Sequence, residues 1–350
     1  MKFISIVGAR PQFIKVAALH RSLKSKENID HLILHTGQHY DHSLSAIFFK
    51  ELEIPEPFAH LELTDENNRF SVPLIQQKTE QILTAEKPDV VIVYGDTNTT
   101  LAGARAAKNC NIRLAHVEAG LRSFNNEMPE EYNRLETDTI SDFLFCPTQT
   151  SVDHLTKEKA HGKIVLCGDI MLDAFNFYSQ KATARTAVDI TDFILSTLHR
   201  ESVVESAEKL SEVVNALNKI NETMRVIVPA HPRLKARLHQ IEIPVNFRII
   251  EPVGYLEMIG LLQRCRLVMT DSGGLQKEAF FSKKVCITLR KETEWTELVA
   301  ANVNFLAGDD SRDKILAVYK EGMASHPSFE EKFYGDGNAA EIIVETLLRC

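Results

Sequence analysis

The chain has 350 residues, 44% of them hydrophobic and 25% charged. That is ordinary globular usage, and at about 150 residues per domain it suggests two domains. A net charge of −8 and the lack of any Lys/Arg block exclude a general nucleic-acid backbone binder, which needs a basic face; a basic pocket for a small anion remains compatible with them.

From the N-terminus, Met1-Lys-Phe-Ile-Ser-Ile-Val7 runs straight into a strand-like segment, and no 18-residue apolar stretch follows anywhere. The expectation is a cytoplasmic protein without a membrane partner. Short apolar runs then alternate with longer amphipathic segments, the βαβ pattern. The first set is Phe3–Val7, Leu32–His35, Val90–Tyr94, Leu114–Val117, Phe143–Phe145 and Ile164–Leu166. The second is Phe193–Ser196, Val226–Val228, Arg248–Ile250, Leu267–Met269, Val285–Leu289 and Asn304–Leu306. The runs are continuous rather than alternating, as in parallel strands buried on both faces. Between Ala207 and Ile220, Leu210, Val213, Val214, Leu217 and Ile220 share one helical face. The polar stretch Lys181–Thr191 reads as a linker. The fold class expected is α/β, with two Rossmann-like doubly wound domains, 1–180 and 190–330, facing a cleft. A C-terminal helix follows within 336–350; the sequence leaves open whether it packs back on the first domain.

Six cysteines (Cys110, Cys146, Cys167, Cys265, Cys286 and Cys350) carry no C-x-x-C pair, so they read as small buried hydrophobes rather than disulfides or metal ligands. No H-x-H or H-E-x-x-H spacing occurs, and no metal or cofactor is expected.

In open α/β sheets, ligands bind beyond the carboxyl ends of strands, so the residues following each run matter most. Gly8-Ala-Arg10-Pro-Gln-Phe-Ile-Lys15 combines a tight turn, a helix start and two cations suited to a diphosphate, or else forms an ordinary βα turn. Asp96 follows the third strand, as a functional carboxylate or a helix cap. Glu118, in His116-Val-Glu-Ala-Gly-Leu-Arg122, follows the fourth. Met128-Pro-Glu130-Glu131-Tyr-Asn-Arg134 begins a helix whose acids suit the helix dipole or acid/base work. In the second half, His199 and His231 end the first two strands. Ser272-Gly273-Gly274 enters a helix and offers backbone N–H groups and a hydroxyl to phosphate, with Glu278 a turn further in for ribose hydroxyls.

Taken in order, GARPQFIK (8–15), HTGQHYD (35–41), VYGDTNTTLAGA (93–104), HVEAGLRS (116–123), MPEEYNR (128–134), HRES (199–202), TDSGGLQKEA (270–279) and LRKETEWTEL (289–298) resemble the non-hydrolysing UDP-N-acetylglucosamine 2-epimerases. The resemblance implies a GT-B-like fold, a UDP-sugar substrate, no cofactor and a homodimer. It implies catalytic roles for Asp96, Glu118, Glu130 and His199. It also implies substrate binding by Arg10, Lys15, Arg134, His231, Ser272, Gly273, Gly274 and Glu278. Gln12 stands where the common pattern has a carboxylate, and Trp295 where many members have an arginine. Both departures resemble the branch acting on UDP-2,3-diacetamido-2,3-dideoxy-glucuronate. The reaction implied is inversion at C2 by elimination and re-addition of UDP through a 2-acetamidoglucal. The alternatives are the same reaction on the diacetamido-glucuronate, or a retaining UDP-sugar glycosyltransferase.

Overall fold

The computed structural model describes residues 1–38, 48–61, 63, 71–125, 127–182 and 190–349; residues 39–41 of the HTGQHYD stretch and 183–189 of the expected linker lie outside them. The chain divides into two compact units, one of residues 1–177 with 332–350 and one of residues 178–331. The division falls inside a helix, Ile170–Ala182.

The first unit carries β1 (Lys2–Val7), α1 (Arg10–Lys24), β2 (Asp30–His35), β3 (Ala59–His60), α2 (Val72–Glu86), β4 (Val90–Tyr94), α3 (Asn98–Asn109), β5 (Arg113–Val117), α4 (Pro129–Ile140), β6 (Phe143–Cys146), α5 (Gln149–Lys157), β7 (Lys163–Leu166) and α6 (Ile170–Ala182). Its strands lie in the order β3-β2-β1-β4-β5-β6-β7, all pairs parallel. The two-residue β3 was not expected, because so short an edge strand carries no periodicity to read. Each of the other strands lies where an apolar run predicts it, with ends shifted by two residues at most.

The second unit contains β8 (Ile194–Thr197), α7 (Glu201–Val204), α8 (Ala207–Asn221), β9 (Val226–Pro229), α9 (Pro232–Leu238), β10 (Arg248–Ile250), α10 (Tyr255–Arg264), β11 (Leu267–Thr270), α11 (Gly273–Phe281), β12 (Cys286–Thr288), α12 (Thr296–Ala300), β13 (Asn304–Leu306) and α13 (Arg312–Ala324). The strand order β10-β9-β8-β11-β12-β13 is again parallel and doubly wound. Successive strand side chains point to opposite faces. Leu267 and Met269 join one apolar cluster while Val268 joins the other, so the sheet is covered on both sides and tolerates no polar alternation. In α8 the buried residues Leu210, Val213, Val214, Leu217 and Ile220 are the face the spacing predicts, and Ser206 caps the helix by accepting from the Lys209 N–H.

The last helix, α14 (Ala339–Leu348), belongs to the first unit. Its N-terminal Ala339 and Ala340 N–H groups donate to the two oxygens of Asp173 at 3.1 and 2.8 Å. Burial pushes the Asp173 carboxyl up to about 6. Among the described residues, no helix is long and apolar enough to cross a membrane.

A polar chain threads the strands of the first unit. Tyr94 Oη lies 2.7 Å from Ser5 Oγ, Ser5 Oγ lies 2.8 Å from His31 Nε2, and His31 Nδ1 lies 3.0 Å from His20 Nδ1. Burial, with His20 alongside, lowers His31 from 6.5 to about 3. Between those values the unfolded chain binds a proton that the folded chain refuses. His31 therefore subtracts stability as pH falls below about 6, by up to about 1.4 kcal/mol per pH unit, while the raised Asp173 carboxyl adds stability over part of the same range. Denaturant unfolding at about pH 5 and 7.5 isolates the His31 share by comparison: on going to pH 5, His31→Gln will lose less stability than the wild type, and an equal change in both proteins refutes the assignment.

Candidate active site

At the carboxyl ends of β1, β4 and β5, three turns converge. The first begins with Gly8, where an added Cβ would collide with the hydroxyls of Thr36 and Thr99, themselves 2.7 Å apart. Gln12, buried in the first turn of α1, joins this turn to the next. Its Oε1 accepts from the Gly8 and Ala9 N–H groups at 2.8 and 3.0 Å. Its Nε2 donates to Tyr94 O at 2.9 Å and reaches the hydroxyls of Thr97 and Thr100 at 3.1 and 3.0 Å. A carboxylate has no hydrogen to donate to Tyr94 O, so the departure at position 12 has a local physical role.

Lys15, only 4% exposed, forms an ion pair with Glu118. Gly95, at φ +67, leaves room for it: a Cβ there would sit 3.2 Å from Lys15 Nζ and 3.3 Å from Glu118 Oε2. Glu118 itself adopts φ +76, a left-handed conformation that costs a non-glycine residue about 1–3 kcal/mol and clusters at functional sites. Asp96, in the turn after β4, accepts from Arg134 Nη2 at 2.6 Å, and its side chain is 30% exposed. Arg134 uses Nη1 on buried Glu131 at 2.7 Å. Asn133 Nδ2 donates to the Asp96 carbonyl at 2.9 Å.

The adjacent acids Glu130 and Glu131 separate cleanly. Glu131 Oε2 accepts from the Ser123 N–H and hydroxyl, and Oε1 from the Phe124 N–H. Burial opposes its ionisation, but these donors and Arg134 outweigh burial and hold its carboxyl below the usual range. Glu131 thus fastens the 123–124 turn. Glu130 is partly exposed and makes no hydrogen bond or ion pair among the described residues. Arg10 lies partly exposed beside the Phe48 ring, 5.6 Å from its centre.

A buried charge network supports these turns. His116 on β5 has Nε2 2.7 Å from the Gly95 carbonyl and Nδ1 2.7 Å from Asp138 Oδ1. Both ring nitrogens face oxygen acceptors. Asp138 Oδ2 accepts from Arg122 Nη1 and the Gly120 N–H at 2.7 and 3.1 Å, and Arg122 continues to Glu158. Burial works against the Asp138 carboxylate, yet His116 and Arg122 together keep its carboxyl lowered. His116, Asp138 and Arg122 were not singled out from sequence as support residues; a histidine inside an apolar strand run is the signal that points to them.

In the second unit, Thr197 on β8 and Thr270 on β11 are register partners with hydroxyls 2.6 Å apart. Directly after Thr270, Asp271 is fully buried. Its Oδ2 accepts from the His199 and Arg200 N–H groups at 2.8 and 2.9 Å, and Oδ1 lies 3.1 Å from His199 Nδ1. The His199 side chain is 52% exposed. Ser272 caps α11 by accepting from the Leu275 N–H. Gly273 and Gly274 open that helix, and Glu278 lies buried in its second turn. His231 stands exposed at the N-cap of α9. Trp295 is buried, with Lys277 Nζ 4.1 Å from the centre of its ring. Arg290 donates from Nη1 to Glu294 at 2.9 Å, and a Cβ on Gly273 would sit 3.4 Å from that glutamate's Oε1.

The structure therefore gathers Lys15, Asp96, Glu118 and Arg134 within one unit, with Glu130 next to Glu131 on α4. Within the other it ties His199 to Asp271, the residue preceding Ser272-Gly273-Gly274. Among the described residues, no group of three or more His, Cys, Asp or Glu side chains is arranged to hold a metal ion. A Gly95→Ala substitution, crowding the Lys15–Glu118 pair in a left-handed position, is expected to lower stability by about 1–2 kcal/mol. It should reduce turnover by about 10²-fold, and parallel melting and rate measurements separate the two losses.

Residues 21–348 match the UDP-N-acetylglucosamine 2-epimerase family. The chain is 43% identical, over the full length of both proteins, to a UDP-2,3-diacetamido-2,3-dideoxy-D-glucuronate 2-epimerase of Pseudomonas aeruginosa. It is 40% identical to a UDP-N-acetylglucosamine 2-epimerase of Methanocaldococcus jannaschii, with 99% of each chain covered. A crystal structure of the M. jannaschii UDP-GlcNAc 2-epimerase in complex with UDP-GlcNAc and UDP superposes with a TM-score of 0.90 at 37% identity, covering 100% of both chains. Fold, sequence and the ordered turns at the strand ends agree: this chain belongs to the UDP-N-acetylglucosamine 2-epimerase family.

Proposed function

We propose that this enzyme inverts C2 of a UDP-linked 2-acetamido sugar by eliminating and re-adding UDP. The observation that carries the reading is the Lys15–Glu118 ion pair beside Asp96 and Arg134: carboxylates at adjoining strand ends, one of them on a strained residue.

The C2–H of such a sugar is not α to a carbonyl, so a carboxylate alone removes it too slowly. When the C1–O bond breaks and UDP leaves with the electron pair, positive character at C1 acidifies C2–H. A carboxylate takes that proton and a C1=C2 double bond forms, giving a 2-acetamidoglucal and UDP. Protonation at C2 from the other face, with UDP returning to C1, completes inversion without net oxidation. Asp96, Glu118 and Glu130 share these proton transfers. Arg134 orients Asp96, and Lys15 holds Glu118 in place. The Ser272-Gly273-Gly274 helix start binds the diphosphate, Glu278 takes ribose hydroxyls, Arg10 and His231 contact substrate, and His199 supports the departing and returning UDP. A UDP-sugar is a cytoplasmic metabolite, so the reading carries a cytoplasmic location with it.

Two sugars fit this chemistry, UDP-N-acetylglucosamine and UDP-2,3-diacetamido-2,3-dideoxy-glucuronate. The Pseudomonas relative, together with Gln12 and Trp295, favours the second. Proton NMR in D₂O with each nucleotide sugar, without metal or acceptor, tests the reaction. The C2 epimer should appear carrying deuterium at C2, faster for the preferred sugar; absence of exchange in both overturns the reading. Asp96→Asn and Glu118→Gln should each lower turnover by about 10²–10⁴-fold. Near-normal rates in both variants remove these residues from proton transfer.

A further inference from the structure

We infer that Asp271 is a positioning residue that selects the tautomer of His199, and so decides which ring nitrogen meets the nucleotide. Three observations lead there. Asp271 is fully buried, and an anion in that position must be answered by hydrogens. Its Oδ2 is answered twice, by the backbone N–H groups of His199 and Arg200 at 2.8 and 2.9 Å, which pins the carboxylate's orientation. Its Oδ1 is also buried and accepts no hydrogen bond from any described group, while His199 Nδ1 lies 3.1 Å from it.

The proton of a neutral His199 therefore belongs on Nδ1, because Oδ1 has only lone pairs to present to it. Nε2 is then left as the acceptor on a side chain that is 52% exposed. In this form His199 meets UDP through a lone pair on Nε2. Once protonated there, it can give that hydrogen to a phosphate oxygen and take it back when UDP returns to C1. Directly after Asp271, the β11–α11 turn is held by the Ser272 N–H, which donates to Thr270 Oγ1 at 2.9 Å. The histidine and the Ser-Gly-Gly helix start are thus held by consecutive residues.

The pinned orientation makes a sharp test. In Asp271→Asn, the two backbone N–H groups demand an oxygen where Oδ2 was, which places the amide NH₂ where Oδ1 was. That donor facing Nδ1 forces the His199 proton onto Nε2, in a side chain of unchanged shape. This inference rests on the role proposed above for His199, but its first measurement needs no turnover. Long-range ¹H–¹⁵N correlation spectra at alkaline pH, with the His199 signals identified by their absence in His199→Gln, should show Nδ1–H in the wild type and Nε2–H in Asp271→Asn. Turnover should fall about 10²-fold in Asp271→Asn while the Kd for UDP changes only a few-fold, and the fall should vanish in the His199→Gln background. An unchanged tautomer, or an equal fall in both backgrounds, overturns the inference. A tautomer that switches in a protein showing no C2 exchange would uphold the positioning role and reject the epimerase reading instead.

Discussion

An ammonium group taken out of water needs a carboxylate close to it, and much of the first unit's carboxyl edge is arranged around that need. Lys15 projects from α1 into a place where it is almost wholly covered, and its counter-charge comes from Glu118, beyond the end of β5. For the two to meet, β4 must end in a residue without a side chain, which is Gly95. Glu118 must also bend into the left-handed region. His116, on the strand leading to Glu118, then secures the Gly95 carbonyl. It joins Asp138, Arg122 and Glu158 in a network that reaches α4 and α5. Removing any one of these groups would leave a buried charge or carbonyl unanswered, which is more expensive than never having buried it.

The second unit uses the same topology with the opposite sign. Its central strands β8 and β11 correspond in order to β1 and β4, and the buried group between their ends is an anion, Asp271. Backbone N–H groups answer one of its oxygens, as at a helix N-terminus, and His199 Nδ1 lies 3.1 Å from the other. A parallel sheet makes both arrangements available, because adjacent parallel strands deliver their carboxyl ends side by side and each must turn there into a helix. In one unit the turns present carboxylates of partial exposure, suited to moving protons. In the other they present a hydroxyl, backbone N–H groups and an imidazole, suited to a phosphorylated leaving group.

The departures from the commonest family pattern gain a physical reading from these contacts. Gln12 serves as acceptor to one turn and donor to another, a dual task that an amide performs and a carboxylate does not. Trp295 packs over the Lys277 ammonium, so a cation remains beside the Ser-Gly-Gly helix even though position 295 carries none.

Alternation of apolar runs and amphipathic segments was enough to place twelve strands and the buried face of α8, because burial on both faces of a parallel sheet keeps strand residues mostly apolar, with the few polar ones paired inside. Strand ends, and therefore the turns bearing Asp96, Glu118, His199 and Ser272, were legible for the same reason. The two-residue β3 was not, since nothing so short has a period. Local sequence also could not tell Glu130 from Glu131: both suit the start of a helix, and only packing buries one against Ser123, Phe124 and Arg134. His116, Asp138 and Asp271 stayed hidden for a related reason. His116 meets Asp138 and Gly95 across 22 and 21 residues, and Asp271 meets His199 across 72, and a hydrogen bond between distant residues leaves no pattern in either segment. The sequence by itself determined which residues stand at the strand ends; tertiary structure alone decided which of them carry exposed charge and which are held buried to orient the others.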